Sequence, residues 1–129
     1  DKPLAPHRFK SSQNYYIMAG RNNIQNDYLT KKIANKQDLW LHVKEIAGSH
    51  VIIKNDTGDE IPNKTKKEAA IIAAYYSKGR QSKNVPVDYT NIKNVNKPKG
   101  AKPGLVYYEN HQTIYVDPDP DLINKLRDV

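Results

Sequence analysis

The chain has 129 residues, a formal net charge of +7 and no cysteine. A chain of this length fits one domain and buries a core without covalent staples. The absence of cysteine excludes disulfides, thiolate zinc sites and iron–sulfur clusters, and it suits a reducing, cytoplasmic location. No apolar run approaches the ~18 residues of a membrane span, so no membrane partner is expected. The start has neither an initiator methionine nor a signal peptide, and we expect a fragment of a longer protein.

Positive charge is concentrated in one third of the chain. Residues 63–104 contain 10 basic and 2 acidic side chains, whereas the rest contains 11 basic and 12 acidic side chains. A clustered excess of this kind is typical of proteins that bind a polyanion such as a nucleic acid. A solvated, lysine-rich surface is the alternative interpretation.

The first half of the chain predicts an arm, a short strand, a helix and a hairpin. The arm covers residues 1–8, the strand residues 15–18, and the helix residues 24–35, capped by an asparagine at 22, 23 or 26. Apolar and polar residues alternate in 39–43, which predicts a strand that pairs antiparallel with a second strand at 49–54.

The sequence predicts an alanine-rich helix after residue 64. Thr65 and Glu68 have the spacing of a capping box at its start. Residues 69–76 are apolar on all sides, which is typical of a buried helix, and Gly79 is placed to end it.

The last third predicts weak strands, a lysine-rich loop and a final short helix. Weak strands are expected at 85–87 and 89–95, a loop at 96–104, a hairpin that joins 105–108 to 113–116, and a helix at 121–127. Short hairpin links favour an α+β fold with a mostly antiparallel sheet, one buried helix and one or two further helices. The predicted domain covers residues 9–118, followed by a short helix or tail at 119–129.

Two catalytic or metal-binding interpretations of the histidines are weak. Ser49 and His50 are neighbours in a predicted strand and face opposite sides, so they cannot form a nucleophile–base pair, although His42 could reach Ser49 across the hairpin. His42 and His50 could share a face as metal ligands, but that depends on the register and lacks a third ligand. We therefore expect no enzyme activity, no metal and no cofactor.

The residue pattern favours nucleic-acid contact over catalysis or metal binding. Trp40 and His42 share one strand face and could stack on unpaired bases, although the single tryptophan also suits the core beneath the alanine-rich helix. Polar side chains at the start of the first helix could donate to phosphates or base edges, or could simply cap that helix. Lysines in the loop could hold phosphate without selecting sequence.

Six motifs occur together in a fixed order. They are Phe9-x-Ser11, Gly20-Arg21-x-x-x-Gln25-Asn26-Asp27, Asp38-x-Trp40-x-His42, Gly48-Ser49-His50-Val51, Val87-Asp88-Tyr89-Thr90 and Lys97-Pro98-Lys99-Gly100-Ala101-Lys102-Pro103-Gly104. Over about residues 8–118 the chain thereby resembles the NFACT-R domain, the C-terminal RNA-binding domain of bacterial ribosome quality-control factors that are also called fibronectin-binding protein A-like.

The resemblance implies an RNA-binding module of a larger factor. Such factors recruit alanyl-tRNA to stalled large subunits and thereby add alanine tails to nascent chains, so the expected partners are tRNA, large-subunit RNA and the remaining domains of the parent protein. Fibronectin is a further partner to consider, and an adhesin fragment and a protein–protein scaffold remain alternatives. The candidate RNA-binding residues are Arg21, Asn22, Gln25, Asn26, Trp40, His42, Ser49, His50, Lys97, Lys99 and Lys102.

Overall fold

A six-stranded antiparallel sheet forms the centre of the protein. The computed structural model describes residues 4–128. In chain order the strands are β1 (His7–Lys10), β2 (Tyr16–Ala19), β3 (Leu39–Val43), β4 (Val51–Ile53), β5 (Val85–Asn91), β6 (Val95–Asn96), β7 (Tyr107–Tyr108) and β8 (Gln112–Val116). The order in the sheet is β1-β2-β4-β3-β5-β8, and β6 pairs with β7 in a separate ribbon.

Five helical segments accompany the strands within the described residues. Helix α1 (Asn23–Tyr28) continues into a π-helical turn (Leu29–Ile33), α2 (Asn63–Tyr75) is the longest helix, a 3₁₀ turn (Ile92–Asn94) follows β5, and α3 (Pro120–Leu126) closes the chain. The predicted α+β fold with a mostly antiparallel sheet is therefore confirmed.

Both faces of the sheet are covered, and alternation along the strands divides the core into two parts. Leu41 and Val43 of β3 face α2, whose alanines and isoleucines at 69–74 are all buried. Trp40 points to the opposite face, where it packs with Leu29 of the π-helical turn and Ile52 of β4. Trp40 is thus a core residue, as one interpretation of the sequence expected, but it lies on the side of the sheet away from the alanine-rich helix.

The predicted β3–β4 hairpin is confirmed, with Leu39 opposite Ile53 and Leu41 opposite Val51. The predicted hairpin between residues 105–108 and 113–116 is wrong. β7 pairs with β6, and β8 pairs with β5 from Val85 opposite Val116 onward. The alternation of apolar residues indicated strands in this region but carried no information about which strand each would pair with.

The capping box predicted for α2 is also wrong. The helix begins at Asn63, after Pro62, so Thr65 already lies inside it. The Thr65 hydroxyl donates to Gln13 at 2.7 Å, and the Glu68 carboxylate accepts from the Ser12 amide at 2.9 Å. These two side chains bind the β1–β2 turn to the buried helix. They make tertiary contacts, although their spacing in the sequence matches that of a capping box.

The end of α2 and the start of the chain also differ from the expectation, whereas the predicted final helix is present as α3. The helix ends at Tyr75, so Gly79 does not cap it. β1 begins at His7, inside the segment assigned to an arm, and residues 1–3 lie outside the described part. Helix α3 places Ile123 and Leu126 in the main core.

Candidate functional site

An aromatic pocket opens on the sheet face opposite α2. Strand β3 supplies Trp40 and His42, and the pocket also takes in His50, Tyr108 and Leu105. Its volume is about 270 Å³. The Trp40 ring lies 4.8 Å from Tyr108 and 5.3 Å from His50, centroid to centroid. We call this set the aromatic pocket.

His50 forms the buried floor of the aromatic pocket and is 1% exposed. The Trp40 indole donates to its Nδ1 at 3.2 Å, so Nδ1 is an acceptor and the proton resides on Nε2, which donates to the Gly104 carbonyl at 2.9 Å. Burial, followed by the nearby His42 ring, lowers the pKa of His50 to about 4. The ring is neutral at pH 7 and links the sheet to the lysine-rich loop.

The wall of the pocket is stabilised by a buried carboxylate. Asp88 on β5 lies opposite His42 and accepts from the hydroxyls of Tyr108 at 2.5 Å and Thr113 at 2.7 Å. Burial alone would raise the pKa of Asp88, but these bonds and Lys44, 3.1 Å away, outweigh it and lower the pKa. The anchored Tyr108 ring is therefore held in one position beside Trp40.

The lysine-rich loop folds back over α1. Lys97 contacts the Lys102 carbonyl at 2.5 Å and the Asp27 carboxylate at 3.3 Å, and its side chain is only 15% exposed. The Gly104 amide donates to Asp27 at 2.8 Å, and a side chain at Gly104, where φ is +82°, would collide with Asn23. Lys97 thus serves as a strut within the protein, whereas Lys99 and Lys102 are exposed.

The polar block at the start of α1 is engaged mainly in contacts within the protein. Of the three asparagines considered as caps, Asn22 is the one that caps the helix, through the Gln25 amide at 2.8 Å. Asn26 is buried and accepts from the His50 amide at 3.0 Å, and a Cβ at Gly20 would lie 2.0 Å from the same Asn26 oxygen. The Arg21 side chain donates to the carbonyl of residue 5, and the Gln25 side chain donates to the carbonyl of residue 4, each at 2.6 Å.

A second, positively charged depression lies beside the aromatic pocket. Arg21, Lys78 and Arg80 converge with His7 and Tyr75 on a groove of about 360 Å³, which we call the cation groove. The Arg80 guanidinium stacks 3.7 Å from the centre of the Tyr75 ring. The connection between β3 and β4 separates the two sites, because residues 45 and 46 line the aromatic pocket and residues 47–49 line the groove.

His7 borders the groove as a neutral, stacked ring. Its centroid lies 4.2 Å from that of Tyr76, and its buried Nδ1 has no hydrogen-bond partner within residues 4–128. Burial, with Arg21 and Arg127 nearby, lowers the pKa of His7 to about 4.

Comparison with known protein families identifies the family to which the chain belongs. The NFACT protein RNA binding domain family matches residues 5–110. The chain belongs to this family. It is 50% identical over 131 residues to the Rqc2 homolog RqcH of Bacillus subtilis, an alignment that covers 98% of this chain and 22% of that protein. It is 38% identical over 69 residues to the human ribosome quality control complex subunit NEMF, covering 54% of this chain and 6% of NEMF.

A solved structure has the same fold. The C-terminal part of the fibronectin/fibrinogen-binding protein from Streptococcus suis superposes with a TM-score of 0.92 at 42% identity, covering 98% of this chain and 51% of that one. The chain spans about a fifth of the length of the bacterial curated relatives. The aromatic pocket and the cation groove are therefore features of an NFACT-type RNA-binding domain.

The structure gathers the predicted site residues only in part. Trp40, His42 and His50 meet in the aromatic pocket, and Arg21 lines the cation groove together with Ser49, whose hydroxyl donates to the Gly20 carbonyl at 2.6 Å. Sequence reasoning missed Lys78, Glu45 and Tyr108 as site residues. Lys78 and Arg80 follow the buried helix directly, and that position was a usable signal. Tyr108 could not be predicted as a site residue, because its strand was expected to pair with residues 113–116 rather than with β6.

The metal-ligand arrangement considered for the histidines has no support in the geometry. His42 and His50 do share a face, with ring centroids 5.5 Å apart, but both ring nitrogens of His50 are occupied by protein groups. Within residues 4–128 no cluster of three or more potential metal-ligating side chains occurs. No helix in that part is long and apolar enough to cross a membrane.

Proposed function

We propose that this domain binds tRNA and large-subunit ribosomal RNA as the C-terminal module of a bacterial ribosome quality-control factor. In that role the parent protein recruits alanyl-tRNA to stalled large subunits for alanine tailing of the nascent chain, and the remaining domains of the parent are direct partners in the cytoplasm. The names of the bacterial and animal relatives support the assignment to ribosome quality control.

The observation that carries the proposal is the cation groove next to the aromatic pocket. Three cationic side chains from two segments of the chain, Arg21 on one and Lys78 and Arg80 on the other, line the groove, and Arg80 stacks on Tyr75. Cations fixed in this way position a phosphate backbone, and exposed lysines of the neighbouring loop add attraction without sequence preference. We propose binding without catalysis, since the Ser49 hydroxyl is already committed to a backbone carbonyl.

The first prediction concerns the groove cations. Replacing Lys78 and Arg80 together by glutamine removes two phosphate contacts, so the affinity for deacylated tRNA falls about 10-fold near 100 mM salt, and the slope of log K against log salt shrinks by about 1.5–2. Fluorescence anisotropy of labelled tRNA from 50 to 300 mM salt measures both quantities.

The matched control removes two charges from the other end of α2. Lys64 and Lys67 are exposed in its first turns, roughly 20 Å from the groove along the helix. Their double glutamine variant keeps most of the tRNA affinity. Equal losses in the two double variants would contradict a localised groove, and an absence of tRNA binding at 50 mM salt would contradict the proposed function itself.

Fibronectin binding is the second candidate, favoured by the name of the structural neighbour from Streptococcus suis. The same variants separate it from RNA binding. An adhesin captures immobilised fibronectin at physiological salt, and this capture is unaffected by competing tRNA.

A further inference from the structure

The aromatic pocket contains a free carboxylate at its mouth. Glu45 lines the pocket together with Ile46, in the connection that follows β3. The Glu45 side chain is exposed, and its carboxylate forms no hydrogen bond or salt bridge to any group within residues 4–128. It lies close enough to Tyr108 to contribute to the raised pKa of that phenol. A lone carboxylate beside aromatic rings is poorly suited to a phosphate.

An unusual backbone conformation positions this carboxylate. Glu45 has φ of +63°, in the left-handed region that non-glycine residues seldom adopt. Strain of this kind persists where the surroundings fix it, and it concentrates at ligand sites. Here the neighbouring Lys44 amide is held by the Pro86 carbonyl at 2.9 Å, so the chain turns sharply and directs residues 45 and 46 toward the pocket.

The walls of the pocket suit a flat, aromatic ligand. Tyr108 and the neutral His42 ring provide π surfaces, and Leu105, which is 56% exposed, provides an apolar edge. The cavity of about 270 Å³ is slightly smaller than the ~300–1,000 Å³ typical of sites for drug-sized molecules, so its capacity fits a single base. Bases that leave a stack are held in proteins by aromatic rings in this way.

The neighbouring cation groove identifies the occupant as part of a nucleic acid. Residues 45 and 46 line the aromatic pocket and residues 47–49 line the groove, so one short connection of the chain borders both sites. An apolar peptide side chain would fill the pocket equally well but would leave both the groove cations and the Glu45 carboxylate without partners. A nucleotide satisfies all three features.

We propose that the aromatic pocket receives one unpaired guanine base of the bound RNA, with the Glu45 carboxylate accepting from its Watson–Crick edge. Guanine presents two adjacent donors there, the ring N1–H and the exocyclic N2 amine, which match the two oxygens of one carboxylate. Adenine presents one donor beside a lone pair, and uracil one donor between two carbonyls, so both oppose a carboxylate. The inference rests on the proposed RNA-binding function.

The test uses five-nucleotide RNAs that differ only in the central base, namely UUGUU, UUAUU, UUCUU and UUUUU. Trp40 is the single tryptophan of the chain and lines the pocket, so its fluorescence reports entry of a base directly. We expect UUGUU to quench Trp40 and to bind about 10-fold more tightly than UUUUU, within the range of a bidentate base contact.

Glu45→Gln removes the carboxylate while it keeps the shape, and it abolishes the preference for UUGUU. Glu109→Gln is the matched control, because Glu109 is exposed and lies next to Tyr108 without lining the pocket; this variant retains the preference. Equal affinity for all four RNAs, or a preference that survives Glu45→Gln, overturns the inference. If tRNA still binds with a steep salt dependence in that case, the proposed function stands, whereas loss of tRNA binding as well overturns both.

Discussion

At the scale of single residues, His50 shows how burial turns a titratable group into a structural one. Its folded-state pKa is about 4, below the ordinary value of 6.5, so the unfolded chain takes up the proton first as the pH falls. The stability that neutral His50 provides is complete above about pH 6.5 and is lost toward pH 4. We expect the free energy of unfolding to fall by about 3 kcal/mol over that window on account of His50 alone.

Denaturant titrations at several pH values check this prediction when the wild-type protein is compared with His50→Gln, since contributions from all other groups cancel in the difference. The wild-type protein loses stability more steeply below pH 6.5 than the variant does. An NMR titration of the histidine ring signals measures the protonation of His50 directly. A His50 ring signal that changes near pH 6.5, or identical slopes for the two proteins, would show that the ring is charged in the fold.

At the scale of elements, the lysine-rich loop contains lysines with opposite roles. Lys97 is a strut between the loop and Asp27, whereas Lys99 points to solvent. Lys97→Met breaks charge-assisted contacts that are largely shielded from water, so we expect a loss of about 1–2 kcal/mol in the free energy of unfolding. Lys99→Met changes stability by less than about 0.5 kcal/mol. Thermal unfolding compares the two, and equal midpoints would refute the strut.

The elements also show which features sequence patterns can reveal. Alternation in β3 and the alanine-rich run in α2 predicted these elements well, because burial on a fixed face depends only on the local period. Strand pairing and side-chain partners depend on distant residues. Thr65 and Glu68 have capping-box spacing but bind the β1–β2 turn, and β8 pairs with β5 rather than with β7. The position of Lys78 and Arg80 after α2 was visible in the sequence, but their convergence with the distant Arg21 in the cation groove was not.

At the scale of the whole molecule, the basic third of the chain is not one surface. Lys64 and Lys67 begin α2 on one side of the sheet, whereas Lys99 and Lys102 belong to the loop that packs on the other side, against α1. The contiguous charge in the sequence is therefore divided by the sheet. The net charge of +7 therefore overstates the charge available on any single face of the sheet.

The whole molecule also depends on its last helix, although the family match ends at residue 110. Ile123 of α3 is fully buried in the main core with Leu126 and the residues of α2, so Ile123→Ala leaves a cavity and lowers the free energy of unfolding by about 3 kcal/mol. Asn124→Ala, on the exposed side of the same helix, changes it by less than about 0.5 kcal/mol. Urea denaturation measures both, and truncation after Pro118 should lower the midpoint at least as much as Ile123→Ala. A truncated chain that keeps the wild-type midpoint would show that α3 adds nothing to the core.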